Sequence, residues 1–274
     1  LHTLHASDGW VVVVEDDVQG GDLELRHIIS SGDQTQAGKV HLNAPQLWVY
    51  LGDRAQLKVT EHFGDDGESC STLALSLSGF SLAQKSQLTY VRAQQSSRDL
   101  KKTDHVHLSR VSAQIAADAS FKMTSLNLGS DLCRLELDVS LEESGAETDL
   151  LGLYLGSGSA SIDQHLTLRH LAPQCVSSQR FKGAFGDHSK GIFTGRVIVA
   201  PGAHTTTADQ YNPNLILSER AKAITRPQLE IYNDQVECSH GATVGQLDEE
   251  ALFYLKTRGL SEAEALRALT AAFV

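Results

Sequence analysis

Cys238, Ser239 and His240 are the residues of this chain best placed to do chemistry. On an extended backbone Cys238 and His240 fall on one face, with Cα atoms roughly 7 Å apart. Thiolate and imidazole are the ligand types that suit iron–sulfur centres and zinc. A cationic histidine beside the thiol would also lower its pKa, and Gly241 leaves space next to the pair. Two donors do not complete a tetrahedral site, so the others must come from elsewhere in the fold or from a second chain. The competing reading is an inert buried cysteine, since free cysteine packs well as a small hydrophobe. Sequence alone leaves both readings open.

Other chemistry is thin. Gly186 to Gly191 has a phosphate-loop-like glycine spacing, but Ile192-Phe193 follows where Lys and Ser or Thr are required. Gly156-Ser157-Gly158 leads into a strand, whereas a dinucleotide fingerprint must open a helix. There is no GxSxG elbow. The acid pairs Asp16-Asp17, Asp65-Asp66 and Glu142-Glu143 sit beside turns, where adjacent side chains point to opposite faces. They read as solvated loop acids, with calcium or glycoside chemistry as the functional alternative. Of the 12 histidines, His105 and His107 alternate with Val106 and Leu108 and are placed on the polar face of a strand. His170 shares a face with Leu166 and Leu168 and reads as a hydrogen-bonded core residue. His188 and His204 fall in turns.

The elements that must position these residues are mostly strands. Cys133, Leu135, Leu137, Val139 and Leu141 alternate with polar residues, which puts every apolar side chain on one face. The same period marks Leu73/Leu75/Leu77, Val106/Leu108, Leu166/Leu168 and Leu229/Ile231. Short turn clusters at fairly regular spacing suggest a large sandwich or a β-solenoid. The solenoid is preferred: hairpin Asn-Gly turns are absent, and aromatics are only 6 %. A narrow coil filled by aliphatic and small side chains leaves little room for rings. No strict sequence repeat is visible. After residue 245 the pattern changes. Asp248-Glu249-Glu250 opens a helix that Lys256 and Arg258 close, each charge suiting its end of the dipole. Gly259 supplies a left-handed turn. Ser261 and Glu264 form a capping box, and Leu266, Leu269 and Phe273 share one face of a second helix. The expected organisation is a β-rich lead-in over 1–38, a solenoid core over 39–245 and a helical segment over 246–274.

Composition narrows the classes. The 274 residues carry a net charge of −11, which argues against a nucleic-acid footprint. The densest basic stretch, Arg98 to Lys102, reads as a solvated loop. Val11 to Val14 is the longest strongly apolar run, far short of the roughly 20 residues a membrane helix needs. The four cysteines, Cys70, Cys133, Cys175 and Cys238, form no CxxC pair, so neither a disulfide framework nor a zinc ribbon is indicated. A reduced, cytosolic compartment is expected. Leu1 and the apolar Phe273-Val274 read as cut ends, so the lack of a targeting segment carries no weight.

Longer motifs carry a resemblance. Arg226-Pro227-Gln228-Leu229-Glu230-Ile231-Tyr232, then Val236 and Cys238-Ser239-His240-Gly241-Ala242-Thr243-Val244-Gly245, resemble the C-terminal signature of the SufB/SufD family of iron–sulfur cluster assembly proteins. Leu252-Phe253-Tyr254-Leu255 and Arg258-Gly259 continue it. Gly152-Leu153-Tyr154-Leu155, Lys182-Gly183, Gly191-Ile192-Phe193-Thr194-Gly195 and Gln210 with Asn214-Leu215-Ile216-Leu217-Ser218 also fit. The Cys-Ser-His-Gly-Ala version is more similar to the SufD branch. The resemblance implies a right-handed parallel β-helix with a short C-terminal helical hairpin, acting as a non-enzymatic scaffold.

It also implies partners and sites. A SufB-like subunit would pair along 227–232 and 236–242, and a SufC-like ATPase would dock on the terminal helices; alone, the chain would form a homodimer. Cys238 and His240 would lie at the subunit junction, near a transient iron–sulfur cluster or iron shared with the partner, with no permanent cofactor. Gln228, Glu230, Tyr232, Phe253 and Tyr254 would contact partners. A bacterial cytosol and a plastid stroma both fit. The rivals are a secreted carbohydrate-active β-helix enzyme and a purely structural solenoid in which Cys238 is inert.

Overall fold

A computed structural model describes residues 8–29, 40–65, 71–95 and 105–274. The chain runs through β1 (Asp8–Val14), β2 (Gln19–Ile29), β3 (Val40–Asn43), β4 (Pro45–Leu51), β5 (Gln56–Asp65), β6 (Ser71–Leu82), β7 (Gln87–Gln95), β8 (His105–Ile115) and β9 (Ser120–Leu128). It continues through β10 (Leu132–Leu141), β11 (Glu147–Gly156), β12 (Ser161–His170), β13 (Val176–Phe185), β14 (Lys190–Val199), β15 (Thr206–Ile216), β16 (Lys222–Ile231) and β17 (Val236–Gln246). Helices α1 (Glu249–Thr257) and α2 (Glu262–Phe273) follow.

From β4 onward successive strands alternate between two sheets. One runs β1-β4-β6-β8-β10-β12-β14-β16, with β3 also on β6; the other runs β17-β15-β13-β11-β9-β7-β5-β2. Every pairing is parallel. Register partners recur about 30 residues apart, within the range of solenoid repeats. The protein is a parallel β-solenoid flattened into two facing sheets. Strands β1 and β2 join the same two sheets as the rest.

The two-residue period of the sequence becomes the interior. In β10 the buried positions are Cys133, Leu135, Leu137, Val139 and Leu141. The corners are set by backbone. Asp17, Arg54, Lys85, Asp118, Gly145, Gln174 and Thr205 all have positive φ. Each donates its N–H to a carbonyl of the next turn along the axis, those of Asp53, Gln84, Ala117, Ser144, Pro173, His204 and Gln235. A small or compact residue follows each one from the second turn on: Ala55, Ser86, Ala119, Ala146, Cys175 and Thr206, all buried. Cys175 thus fills a corner column that elsewhere holds Ala, Ser or Thr.

Two expectations are corrected. The interior does take large rings: Phe80, Tyr90, Phe121, Tyr154, Phe181, Phe185 and Phe193 are all buried there. Glycines make the room. A Cβ at Gly152 would collide with the Phe181 ring, and one at Gly191 with Phe185. His107, placed on a polar face by its alternation, is buried instead, 3.1 Å from Ser76 Oγ and against the Phe63 ring. Burial holds its pKa well below the usual histidine value. The strand keeps its period, but the inward face at this level carries polar groups. His170 is buried as expected, 2.9 Å from Ser177 Oγ.

The helical segment matches its signals. Asp248 caps α1, Gly259 takes φ 98°, and both capping-box bonds of Ser261 and Glu264 form at α2. Lys182 Nζ on β13 donates to the Phe273 carbonyl at 2.7 Å. A cation there also suits the negative end of α2.

Candidate functional site

β16 and β17 are the last strands of their sheets, at the same end of the solenoid. Among the described residues each is paired on one side only, with β14 and β15 respectively. In β15 the inward residues are Thr206, Ala208, Gln210, Asn212 and Asn214. Their partners in β17 are Val236, Cys238, His240, Ala242 and Val244. By the same rule Ala223, Thr225, Pro227, Leu229 and Ile231 are the inward positions of β16. The terminal coil therefore turns a mostly apolar face, with one thiol and one imidazole, inward, and among the described residues no further coil stacks beyond it. Pro227 suits this place, because an edge strand tolerates a missing N–H.

Cys238 and His240 share that face, as their spacing requires. Cys238 is half-buried against the core and His240 is exposed. Ser239 points the other way and bonds Asp209. The expected lowering of the thiol pKa does not occur. Burial pushes the Cys238 thiol up, opposed only by a backbone hydrogen bond at Ala208. A thiol with a raised pKa gives up its proton less readily, and binding a cation must displace that proton.

The remaining cysteines in the described residues differ in kind. Cys133 is buried inside and its pKa is pushed up to about 11, while Cys175 is packed in a corner. Cys70, the basic stretch 98–102 and Asp66 lie outside the described residues. Among the described residues no three His, Cys, Asp or Glu side chains gather to hold a metal. Cys238 and His240 are thus an incomplete donor pair on one chain.

The other candidate residues lie on nearby surfaces. Gln228 and Glu230 face outward on β16, with Glu230 3.7 Å from Arg196, and Tyr232 follows the strand, exposed. Phe253 is 69 % exposed on α1, and Tyr254 is exposed under the Arg258 guanidinium. None of them shares the inward face of β17 that carries Cys238: Gln228 and Glu230 are on the outer face of β16, Tyr232 lies beyond its end, and Phe253 and Tyr254 are on α1. The turn acids serve the corners: Asp16 accepts from the Asp53 N–H, Glu143 from that of Ala117, and Asp17 pairs with Arg54. A shallow outer cavity is lined by Trp48, Tyr50, Arg110 and Asp138. Among the described residues Asp138 is the only carboxylate lining it, and it is already engaged by Arg169 and Arg110. Glycoside cleavage needs a second acid there.

Sequence reasoning missed the polar residues beneath the donor pair. Gln210 and Gln179 occupy the register positions under His240, in β15 and β13, and both are buried. Gln210 alternates with Ala208 and Asn212, and Gln179 with Ser177 and Phe181, so no local pattern singled them out.

Fold and site together define a parallel β-solenoid whose terminal coil carries a thiol and an imidazole on its inward face. The chain belongs to the family described as SUF system FeS cluster assembly, SufBD core domain, which matches residues 32–273. It is 30% identical over 236 residues to an iron–sulfur cluster assembly SufBD family protein of Synechocystis sp., covering 84% of this chain and 51% of that protein. It is 33% identical over 167 residues to the iron–sulfur cluster assembly protein SufD of Escherichia coli, covering 61% and 40%. The protein ABCI7, chloroplastic, of Arabidopsis thaliana is 24% identical over 251 residues, covering 91% and 52%. The chain spans about half the length, or less, of these relatives.

Proposed function

We propose that this chain is a SufD-like assembly subunit that pairs with a SufB-like chain through the free edges of β16 and β17. Its cargo is a nascent iron–sulfur cluster or iron, held transiently at the junction by Cys238 and His240 together with donors of the partner. The carrying observation is the inward placement of both residues on a terminal strand with one unpaired side. An unpaired edge is a template for another strand, and a single donor pair has chemical use only when a second polypeptide completes it. The chain is a scaffold and not an enzyme; its sequence lacks nucleotide and nucleophile motifs, so ATP hydrolysis falls to a SufC-like partner. That ATPase docks on the helical hairpin, where Phe253 and Tyr254 offer exposed rings. Movement of the hairpin, tied to β13 through Lys182, reaches the sheet that ends in β17. Without SufB, the same edges pair two copies of this chain.

The test is co-purification with SufB- and SufC-like subunits, followed by iron and sulfide analysis. His240→Ala should leave the complex intact and lower cluster yield. Unchanged yield on an intact complex would eliminate the proposed role of His240.

A further inference from the structure

His240, Gln210 and Gln179 form a column of consecutive inward register positions on β17, β15 and β13. Gln210 and Gln179 are each 1 % exposed. Gln210 Nε2 donates to Gln179 Oε1 at 2.9 Å, which turns the nitrogen end of the Gln210 amide toward Gln179. Gln210 Oε1 is buried and has no partner within the chain. A buried amide oxygen without a donor is costly, so such an atom marks a place where a donor is meant to arrive. Gly195 on the facing sheet lets the amide stand where it does, because a Cβ there would strike Gln210 Nε2. Parallel strands lie about 4.8 Å apart, so side chains at stacked positions of one face are within each other's reach. The residue stacked on Gln210 from the open side is His240.

We infer that Gln210 is a positioning residue for His240: once the exposed imidazole turns inward, the free Oε1 accepts one ring N–H, fixes the tautomer and aims the other ring nitrogen at the junction. Histidine ligands commonly donate their second N–H to an outer oxygen, which sets ring orientation and raises basicity. Gln179 acts one step further back by keeping the oxygen end of Gln210 turned toward His240. This rests on the reading of His240 as a donor to the cluster.

The experiment is long-range 1H–15N correlation on the full chain labelled at histidine, with the His240 signals identified by their loss in His240→Ala. The wild type should show one ring tautomer. Gln210→Met should return the ring to a mixture, and Gln210→Glu, which keeps an acceptor, should restore the single form. Gln179→Met is the second variant: it leaves Gln210 in place, frees its amide to turn, and should also mix the tautomers. In the complex with the SufB-like subunit, Gln210→Met should weaken Co(II) binding about 10–100-fold. An unchanged tautomer in both Met variants overturns the inference, even if His240→Ala abolishes cluster yield. Mixed tautomers in those variants, with cluster yield indifferent to His240→Ala, would uphold the positioning and sink the donor reading.

Discussion

Acid should destabilise this protein through His170 in a way that can be isolated. The ring is 0 % exposed, with one nitrogen against Ser177 and Nδ1 without a partner. Burial lowers its pKa from 6.5 to about 4. The unfolded chain therefore binds the proton first as pH falls. Stability is complete above pH 6.5, declines below it and is fully lost once pH passes the folded value near 4. A gap of about 2.5 at 1.36 kcal/mol for each pH unit amounts to about 3 kcal/mol. At about pH 5 the loss is already about 2 kcal/mol. Urea unfolding of the wild type and of His170→Gln, at about pH 7.5 and about pH 5, measures it. Glutamine keeps a hydrogen-bonding group beside Ser177 without a titrating proton. His107 and the other histidines contribute to both proteins and cancel in the comparison. The wild type should lose about 2 kcal/mol more than the variant between the two conditions. Equal losses would refute the assignment of His170 as a neutral core residue.

Gly191→Ala should destabilise by about 1–3 kcal/mol, because the new methyl meets the Phe185 ring; an unchanged urea midpoint would mean the interior has slack that the packing denies. Native-state thiol labelling should modify Cys238 well before Cys133 or Cys175, and the SufB-like partner should protect it. Labelling of Cys133 at the same rate would contradict its interior position. Ile231→Asp puts a charge on an inward position that is 42 % exposed. It should weaken subunit association about ten-fold or more, read by titration calorimetry, and wild-type affinity would count against pairing at β16. A proline at Ala242 removes a donor from β17 and should act likewise, with intact assembly as the adverse result.

Much of the fold was legible because alternation is a local signal. Residues 133–142 announce β10 almost to the residue, and Ser261 with Glu264 announces the start of α2. The solenoid repeat was hidden for a physical reason. Its corners need a backbone N–H in the left-handed region followed by a compact side chain, and Arg54-Ala55, Lys85-Ser86, Asp118-Ala119 and Gln174-Cys175 meet that need with different residues. Composition misled about the rings, since 6 % aromatics is enough to fill one interior when glycines face them. At the site, the spacing of Cys238 and His240 gave their common face. Their height on the last coil and the glutamines below them depend on pairing across about 30 residues, which no local pattern encodes.

The corner stack also has a polarity. Each left-handed residue hands its N–H forward, from Asp17 to the turn at Asp53 and finally from Thr205 to Gln235. At Gln235 the run stops, because its N–H bonds back to the Asn233 side chain at 3.0 Å. A copy added head to tail would find no donor at that corner, whereas a two-fold arrangement along the open strands needs none. Stacking a second copy onto that end would therefore forgo one of the corner bonds that tie successive turns together.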